Sequence, residues 1–504
     1  MPLLLGLDIG TTSTIGTVID CEGRTLAVES RPATLLSEHA NWAEEDPEEW
    51  WGNVGAICRA LLGHEGVRAQ EIAAVGVTGM LPTSILIDAA LRPLRRSIQQ
   101  NDARATEELE RMRQGMPEDR FLALSGTGYS QQLIGPKLDW LRRREPETFA
   151  RARKVVGASD FITARLTGSV QVEHNWAVEA GFVNIATGRY DAELIGLAGL
   201  EPTLLAPILA SQEVVGAATE EAERHTGLLA GTPVVAGCAD HVASAFVCGA
   251  ALNGDLVLKF GGAGDILLAV DRPVTDRRLF IDYHIVPGLY FSNGCMAASG
   301  SLLNWILRHW AGAEAVKAAT AGLTQHQHLD RLAAQVPHDR SLLFLPYVLG
   351  EKTPLMDPHA RGTLVGLGLH HGIADVWRAA LEGVVFGFRH HVEVFAERGL
   401  AVTRVFAADG GAASDLWLQI AADVLGQQVT RIDRHPGSSL GAAFVAGMGV
   451  GALQDWSEIA RYVAPGRSFT PDTRRHTDYG RKYRLWRDVY ERLKTLYPEL
   501  SAQG

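Results

Sequence analysis

Asp8-Ile9-Gly10-Thr11-Thr12-Ser13 joins a carboxylate to a tight turn rich in backbone amides and hydroxyls. A carboxylate suits a hard cation such as magnesium, and consecutive amides in a turn suit phosphate oxygens. The competing reading is an ordinary hairpin whose threonines satisfy the turn. Gly261-Gly262-Ala263-Gly264 lacks the side chains that would hold its backbone away from a second part of the same phosphate chain. Gly410-Gly411-Ala412 leads through Ser414 into a helical stretch to Leu425, so an anion or a planar base could dock at that helix start. One glycine turn is weak evidence; three in one chain are harder to assign to structure alone. Asp240 lies between the apolar runs Val234–Ala239 and Val242–Phe246, which predicts burial, and a buried carboxylate needs partners or a task. That task would be general base catalysis on a substrate hydroxyl during phosphoryl transfer; the competing role is a helix N-cap. His241 could contact substrate, although a lone histidine at a helix start is more often structural.

The elements that must position these groups alternate between strand and helix. Leu3–Leu7 and Thr14–Ile19 predict a hairpin around the first turn, and Leu256–Phe260 with Ile266–Val270 predicts a second around the glycine-rich one, so the chain reads as two related halves. Further strands are expected at Ile72–Val77, Ser84–Ile87, Ser341–Pro346 and Thr403–Ala408, and helices at Ile373–Phe395 and Ser414–Leu425. Asp46-Pro47-Glu48-Glu49 has the cap, proline and acidic residues of a helix start, and Trp50, Val54 and Ile57 then share one face. Val234–Leu252 reads as a buried helix. Asp478–Leu496 reads as a charged amphipathic helix that packs back on the first half. The alternation gives an α/β fold, with a boundary near Gly249–Gly254.

The 504 residues, 46% apolar and 21% charged, are enough for two to four domains with large cores. A net charge of -11 argues against a dedicated nucleic-acid binder. Neither a basic leader nor a spanning apolar stretch is visible, so no membrane association is expected. Cys21, Cys58, Cys238, Cys248 and Cys295 are odd in number and form no Cys-x-x-Cys pair, which fits reduced thiols in a cytoplasmic protein. Glu351-Lys352-Thr353 resembles the end of a P-loop, but Pro346 and Glu351 occupy the places of its glycines, and no strand is followed by Gly-x-Gly-x-x-Gly. The pairs His370-His371 and His390-His391 read as surface residues.

Taken together, these segments resemble the FGGY family of carbohydrate kinases over nearly the whole chain. Asp8–Ser13 is similar to its first phosphate loop, Trp42–Trp50 to its acidic helix entry, Asn101-Asp102-Ala103-Arg104 to a segment lining the sugar pocket, and Lys137–Leu141 to its first signature. Gly362–Leu367, Asp375 and Ala379–Glu382 match the second signature, and Gly410-Gly411-Ala412 through Asp423 the adenosine loop. The resemblance implies two ribonuclease-H-like (actin-like ATPase) domains flanking a central cleft. Residues 1–250 would be the N-terminal sugar-binding domain with the catalytic base, 251–470 the C-terminal adenosine-binding domain, and 471–504 a helix packing back on the first domain. It implies ATP and Mg2+ as cofactors and a sugar or polyol, foremost a ketopentose phosphorylated on a primary hydroxyl. It also implies a homodimer without nucleic-acid partners.

In residue terms the resemblance makes Asp240 the catalytic base and assigns the metal to Asp8 and Asp240. Thr11, Thr12, Ser13, Gly261, Gly262, Gly410, Gly411 and Ala412 would hold the nucleotide, and Met80, Leu81, Asn101, Asp102, Trp176, Asp240 and His241 the sugar. Two departures bear on substrate: Leu81 stands where xylulokinases carry histidine, and His241 where they carry asparagine. The first predicts a preferred substrate other than D-xylulose. A catalytically silent ATP-binding switch or chaperone-like module of the same superfold is the alternative.

Overall fold

The computed structural model describes residues 2–338, 342–433 and 437–502. It divides into two compact units, one of Met1–Ala251, Asp271–Phe291 and Pro436–Val463, the other of Leu252–Val270, Ser292–His435 and Ala464–Gly504. The first crossing, after Ala251, falls inside the expected boundary region. A single cut does not describe the chain, however, because two later segments return to the first unit.

In the first unit, β1 (Leu3–Ile9) is buried throughout and pairs antiparallel with β2 (Ser13–Asp20), which β3 (Thr25–Pro32) continues. β4 (Ile72–Gly79) lies parallel to β1 on its other side, with Asp8 opposite Thr78. β5 (Val214–Ala217) and β6 (Pro233–Val235) complete the order β5-β6-β4-β1-β2-β3, and β7 (Cys238–Ala239) also pairs with β4. Helix α1 (Pro47–Leu61) starts as its sequence predicts: Asp46 accepts from the amide of Glu48, and Trp50, Val54 and Ile57 are fully buried. The returning helix Ser438–Gly449 lies against β1 and β4 at backbone distance. A Cβ on Gly6 would sit 1.8 Å from the Ser439 carbonyl oxygen, and one on Gly76 2.1 Å from that of Ala442, so only glycine permits this packing.

The stretch expected as one buried helix, Val234–Leu252, is β6, β7 and the short α-helix Asp240–Phe246. Apolar runs of this length do not distinguish buried strand from buried helix. Gly237, at φ +88°, makes the step between the strands; a Cβ there would meet the Val77 carbonyl oxygen at 1.7 Å.

The second unit repeats the motif. Asp255–Phe260 and Gly264–Val270 form the predicted hairpin, and Arg404–Ala408 runs parallel to its first strand with Ala408 opposite Lys259. Val429–Ile432 and Pro465–Phe469 extend that sheet. Helix Ile373–Glu397 is buried along most of its length, and Ser414 caps helix Asp415–Leu425 through the amide of Trp417. Of the strand expected at Ser341–Pro346, Leu343–Leu345 is observed, and Ser341 lies outside the described residues.

Two expectations fail here. The C-terminal helix, Thr473–Leu493, belongs to the second unit and packs there on helices Asp415–Leu425 and Ile373–Glu397 and strand Leu343–Leu345. Trp486 Nε1 donates to the Phe344 carbonyl oxygen at 2.9 Å, Tyr479 Oη donates to Glu382 at 2.9 Å, and Lys482 Nζ to the same carboxylate at 2.6 Å. An amphipathic pattern shows which face is buried, not what covers it. His390 and His391 are buried rather than at the surface; His391 Nε2 lies 2.8 Å from Thr353 Oγ1, and burial lowers its pKa to about 4. All five cysteines are free. No helix among the described residues is long and apolar enough to cross a membrane.

Candidate active site

The register of three parallel strands sets the site's floor. Asp8 of β1 is level with Thr78 of β4, which is level with Cys238 of β7, and Thr78 Oγ1 donates to the Cys238 carbonyl oxygen at 2.7 Å. Asp8 and Asp240, one residue past β7, therefore stand near the same carboxyl edge, on strands that lie about 10 Å apart by ordinary strand spacing. That edge is where open α/β sheets bind ligands.

Asp240 is the first residue of α2, as we number Asp240–Phe246; the N-cap position is Ala239, and Asp240 contacts only the next residue's amide rather than making an N-cap bond. Its side chain is 34% exposed, contrary to the burial its apolar neighbours predict, because it projects from the sheet's edge while they pack beneath. The amide of His241 donates to Asp240 Oδ1 at 2.6 Å, and His241 Nδ1 lies 3.4 Å from the same oxygen. The other carboxylate oxygen accepts no hydrogen bond from the described residues.

His241 is the hub of a charged group that its sequence position did not reveal. Its Nε2 lies 3.0 Å from Asp282 Oδ2 and 3.8 Å from Glu179 Oε1. Burial opposes protonation of His241, but Asp282, Asp240 and Glu179 surround it and hold the imidazole well above its ordinary range. Burial, then the Asp282 carboxylate, push Glu179 well above the usual carboxylate range. A proton is thus held on His241 beside the exposed carboxylate. Asn175 fixes the frame: its Nδ2 donates to the Tyr283 carbonyl oxygen at 3.0 Å, and its Oδ1 accepts from the Tyr283 amide at 2.6 Å. Helix His174–Glu179 and strand Phe280–Tyr283 are thereby clamped with Glu179 and Asp282 directed at one imidazole. No motif pointed to Asn175, Glu179 or Asp282, since the strand that carries Asp282 returns to this unit only after the second hairpin.

The first turn is closed by Gly10, whose amide donates to the Ser13 carbonyl oxygen at 3.0 Å. Thr11 Oγ1 donates to Met80 Sδ at 3.4 Å, and the Met80 amide to the Ile9 carbonyl oxygen at 3.0 Å, so Met80 braces the turn from below. Thr12 is exposed and Ser13 half-buried. Asp8 accepts from Ser438 Oγ at 2.5 Å, at the start of helix Ser438–Gly449. This all-oxygen set of carboxylate and hydroxyls fits a hard divalent cation such as magnesium.

Other sugar-site expectations fare differently. Asp102 is buried and committed to Arg104 and the Ala43 amide, with distances of 2.6–3.0 Å, and Arg104 lies 3.7 Å over the Trp42 ring. Asp102 therefore organises its own loop; Asn101 beside it is exposed. Trp176 is fully buried and its Nε1 donates to the Thr83 carbonyl oxygen at 2.7 Å, so its donor is occupied. Leu81 is buried.

In the second unit, the turn Gly261–Gly264 is bound to the start of helix Gly300–His309: the amides of Ser299 and Ser301 donate to the Gly262 carbonyl oxygen at 2.8 and 3.1 Å, and the Gly300 amide to that of Gly261 at 2.8 Å. Gly410 and Gly411 open a one-turn helix at the same carboxyl edge, and Ala412 is buried behind them. Gly410 and Gly262 face open space, whereas a Cβ on Gly411 would lie 2.6 Å from the Trp417 ring.

Residues 3–247 match the FGGY family of carbohydrate kinases, N-terminal domain, and residues 269–450 its C-terminal domain. The crystal structure of xylulose kinase from Rhodospirillum rubrum is 43% identical and superposes with a TM-score of 0.93, covering 98% of this chain and 99% of that one. Xylulose kinase of Bacillus subtilis (strain 168) is 26% identical over 100% of this chain and 99% of its own length. L-xylulose/3-keto-L-gulonate kinase of Escherichia coli (strain K12) is 28% identical over 99% of this chain and 98% of its own. With both halves matched in order and a carboxylate exposed at the sheet edge, the chain belongs to the FGGY family of carbohydrate kinases.

Proposed function

We propose that this kinase phosphorylates a primary hydroxyl of a ketopentose, with Asp240 as general base. The chain is an enzyme of ATP-dependent sugar phosphorylation by family and by its full-length kinase relatives, which removes support from a silent nucleotide switch. The observation that carries the finer reading is Asp240 itself: at a helix start, with one oxygen held by the His241 amide and the other accepting no hydrogen bond from the described residues. A hydroxyl meeting that oxygen can pass its proton to Asp240 as the oxygen attacks the terminal phosphorus of ATP and the bond to the bridging oxygen breaks. His241, charged and anchored to Asp282, fixes the rotation of the Asp240 carboxylate, so the base is oriented before substrate arrives.

Magnesium bound near Asp8 would offset phosphate charge. The turn Gly10–Ser13 offers amides and hydroxyls to phosphate oxygens, and Gly261–Gly264 amides alone. We assign adenosine to the second unit, at Gly410–Ala412, where open space beside Gly410 admits a flat ring. The acceptor site and base belong to the first unit, in a cytoplasmic enzyme.

Relatives named for D- and L-series ketoses support a ketopentose acceptor without fixing its configuration. Leu81 offers no hydrogen bond where xylulokinases have histidine, and an unpartnered buried hydroxyl costs about 1–3 kcal/mol. We therefore infer a ketose other than D-xylulose as the best acceptor. ADP release measured with D- and L-ketopentoses, tetruloses, deoxyketoses and polyols tests both statements. Turnover with a ketopentose and kcat/KM favouring one other than D-xylulose is expected. Activity confined to polyols would refute the first statement, and a preference for D-xylulose by about tenfold, roughly 1.4 kcal/mol, the second.

A further inference from the structure

Three side chains in the first unit have the composition and spacing of a transition-metal site. One ligand atom each of Glu179, His241 and Asp282 lie within 4.8 Å of one another. The His241–Asp282 and His241–Glu179 separations are 3.0 and 3.8 Å. Metal–ligand bonds of about 2.0–2.2 Å in a tetrahedron put neighbouring ligand atoms about 3.4 Å apart, so the two separations bracket the required value with no movement of backbone.

A second observation points to a ligand. Glu179 Oε1 is shielded from solvent and itself accepts no hydrogen bond, although the Glu179 carboxyl also lies against that of Asp282. An oxygen so placed carries a desolvation cost that a cation would relieve. The surroundings also have the form that metal-bound histidines require. The second ring nitrogen, Nδ1, faces the Asp240 carboxylate at 3.4 Å, giving a carboxylate–histidine–metal arrangement, and the Asn175 clamp on Tyr283 holds two of the three ligands in place.

We propose that Glu179, His241 and Asp282 bind one divalent ion of the borderline, imidazole-accepting class, zinc foremost. This site is separate from the all-oxygen site at Asp8. One imidazole and two carboxylates suit zinc, while magnesium prefers oxygen ligands and retains its waters. The fourth position stays open to water. With its Nε2 on the metal, His241 keeps Nδ1–H for Asp240. The site does not depend on Asp240 being the base.

Zinc chloride titrated into the chelator-treated full-length chain, without nucleotide or magnesium, with bound metal quantified after dialysis, tests the site. One zinc per chain is expected to disappear in His241→Gln and to weaken by about 10–100-fold in Glu179→Gln and Asp282→Asn, whose thermal melting confirms folding. Cobalt chloride on the unaltered chain should give an intense tetrahedral visible band, a readout that needs no variant. Zinc stoichiometry and affinity unchanged in all three variants, or absence of that band, would overturn the proposal.

Discussion

The two hairpins of this kinase share a topology and differ in chemistry. In each, an antiparallel pair is joined by a tight turn and its first strand lies parallel to a third. Counting back two residues from the first glycine of each turn gives Asp8 in one unit and Lys259 in the other. The first turn carries Thr11, Thr12 and Ser13; the second carries no side chain beyond Ala263 and is tied by its carbonyls to the start of helix Gly300–His309. The same scaffold position is loaded with a carboxylate and hydroxyls in one unit, and with a cation and bare backbone in the other. The lesson is that the duplicated fold supplies position, and a few side chains at the carboxyl edge decide what each copy does.

That contrast can be broken by substitution. Asp8→Asn should raise the magnesium concentration needed for half-maximal activity by about 10–100-fold, as for a residue that orients a metal through its hydration shell; an unchanged magnesium curve would remove the cation from the first hairpin. Thr12→Ala combined with Ser13→Ala should raise the KM for ATP by about tenfold, since two hydroxyl contacts of about 0.5–1.5 kcal/mol each are lost. If the double variant matched the parent, the two turns would be equivalent and the comparison empty.

The glycine turns of the second unit should separate stability from activity. Gly411→Ala forces a methyl against Trp417 and Phe260 and should destabilise by about 1–3 kcal/mol, read as a lower Tm. Gly262→Ala meets no atom within 4 Å and should leave Tm unchanged while raising the KM for ATP, because its methyl would hold phosphate away from the turn; an unchanged KM would remove phosphate from this turn.

Much of the fold was legible because strand alternation and glycine turns are local signals: both hairpins, α1 with its Asp46 cap, and the helices ending at Leu425 and beginning at Ile373 follow from short windows of sequence. Asp8 and Asp240 could be singled out for the same reason. What sequence could not show depends on where distant segments return. Asp282 arrives on a strand beyond the second hairpin, Glu179 at the end of a short helix, and neither has a neighbour that marks it. The ion pair of Asp102 with Arg104, two residues on, was likewise invisible, because the same residue types could bind a sugar. The C-terminal helix was placed on the wrong unit because Tyr479 and Lys482 select Glu382, a partner no periodicity encodes.

Asp240, as proposed, accepts the proton of the sugar hydroxyl. Asp240→Asn preserves shape and the bond from the His241 amide but cannot take up a proton, so the measurement is its kcat at saturating ketose alongside its Kd for ATP. A kcat lower by about 10²–10⁴, with ATP binding within a few fold of the parent, is expected. Parental kcat in Asp240→Asn would show that Asp240 is not the base.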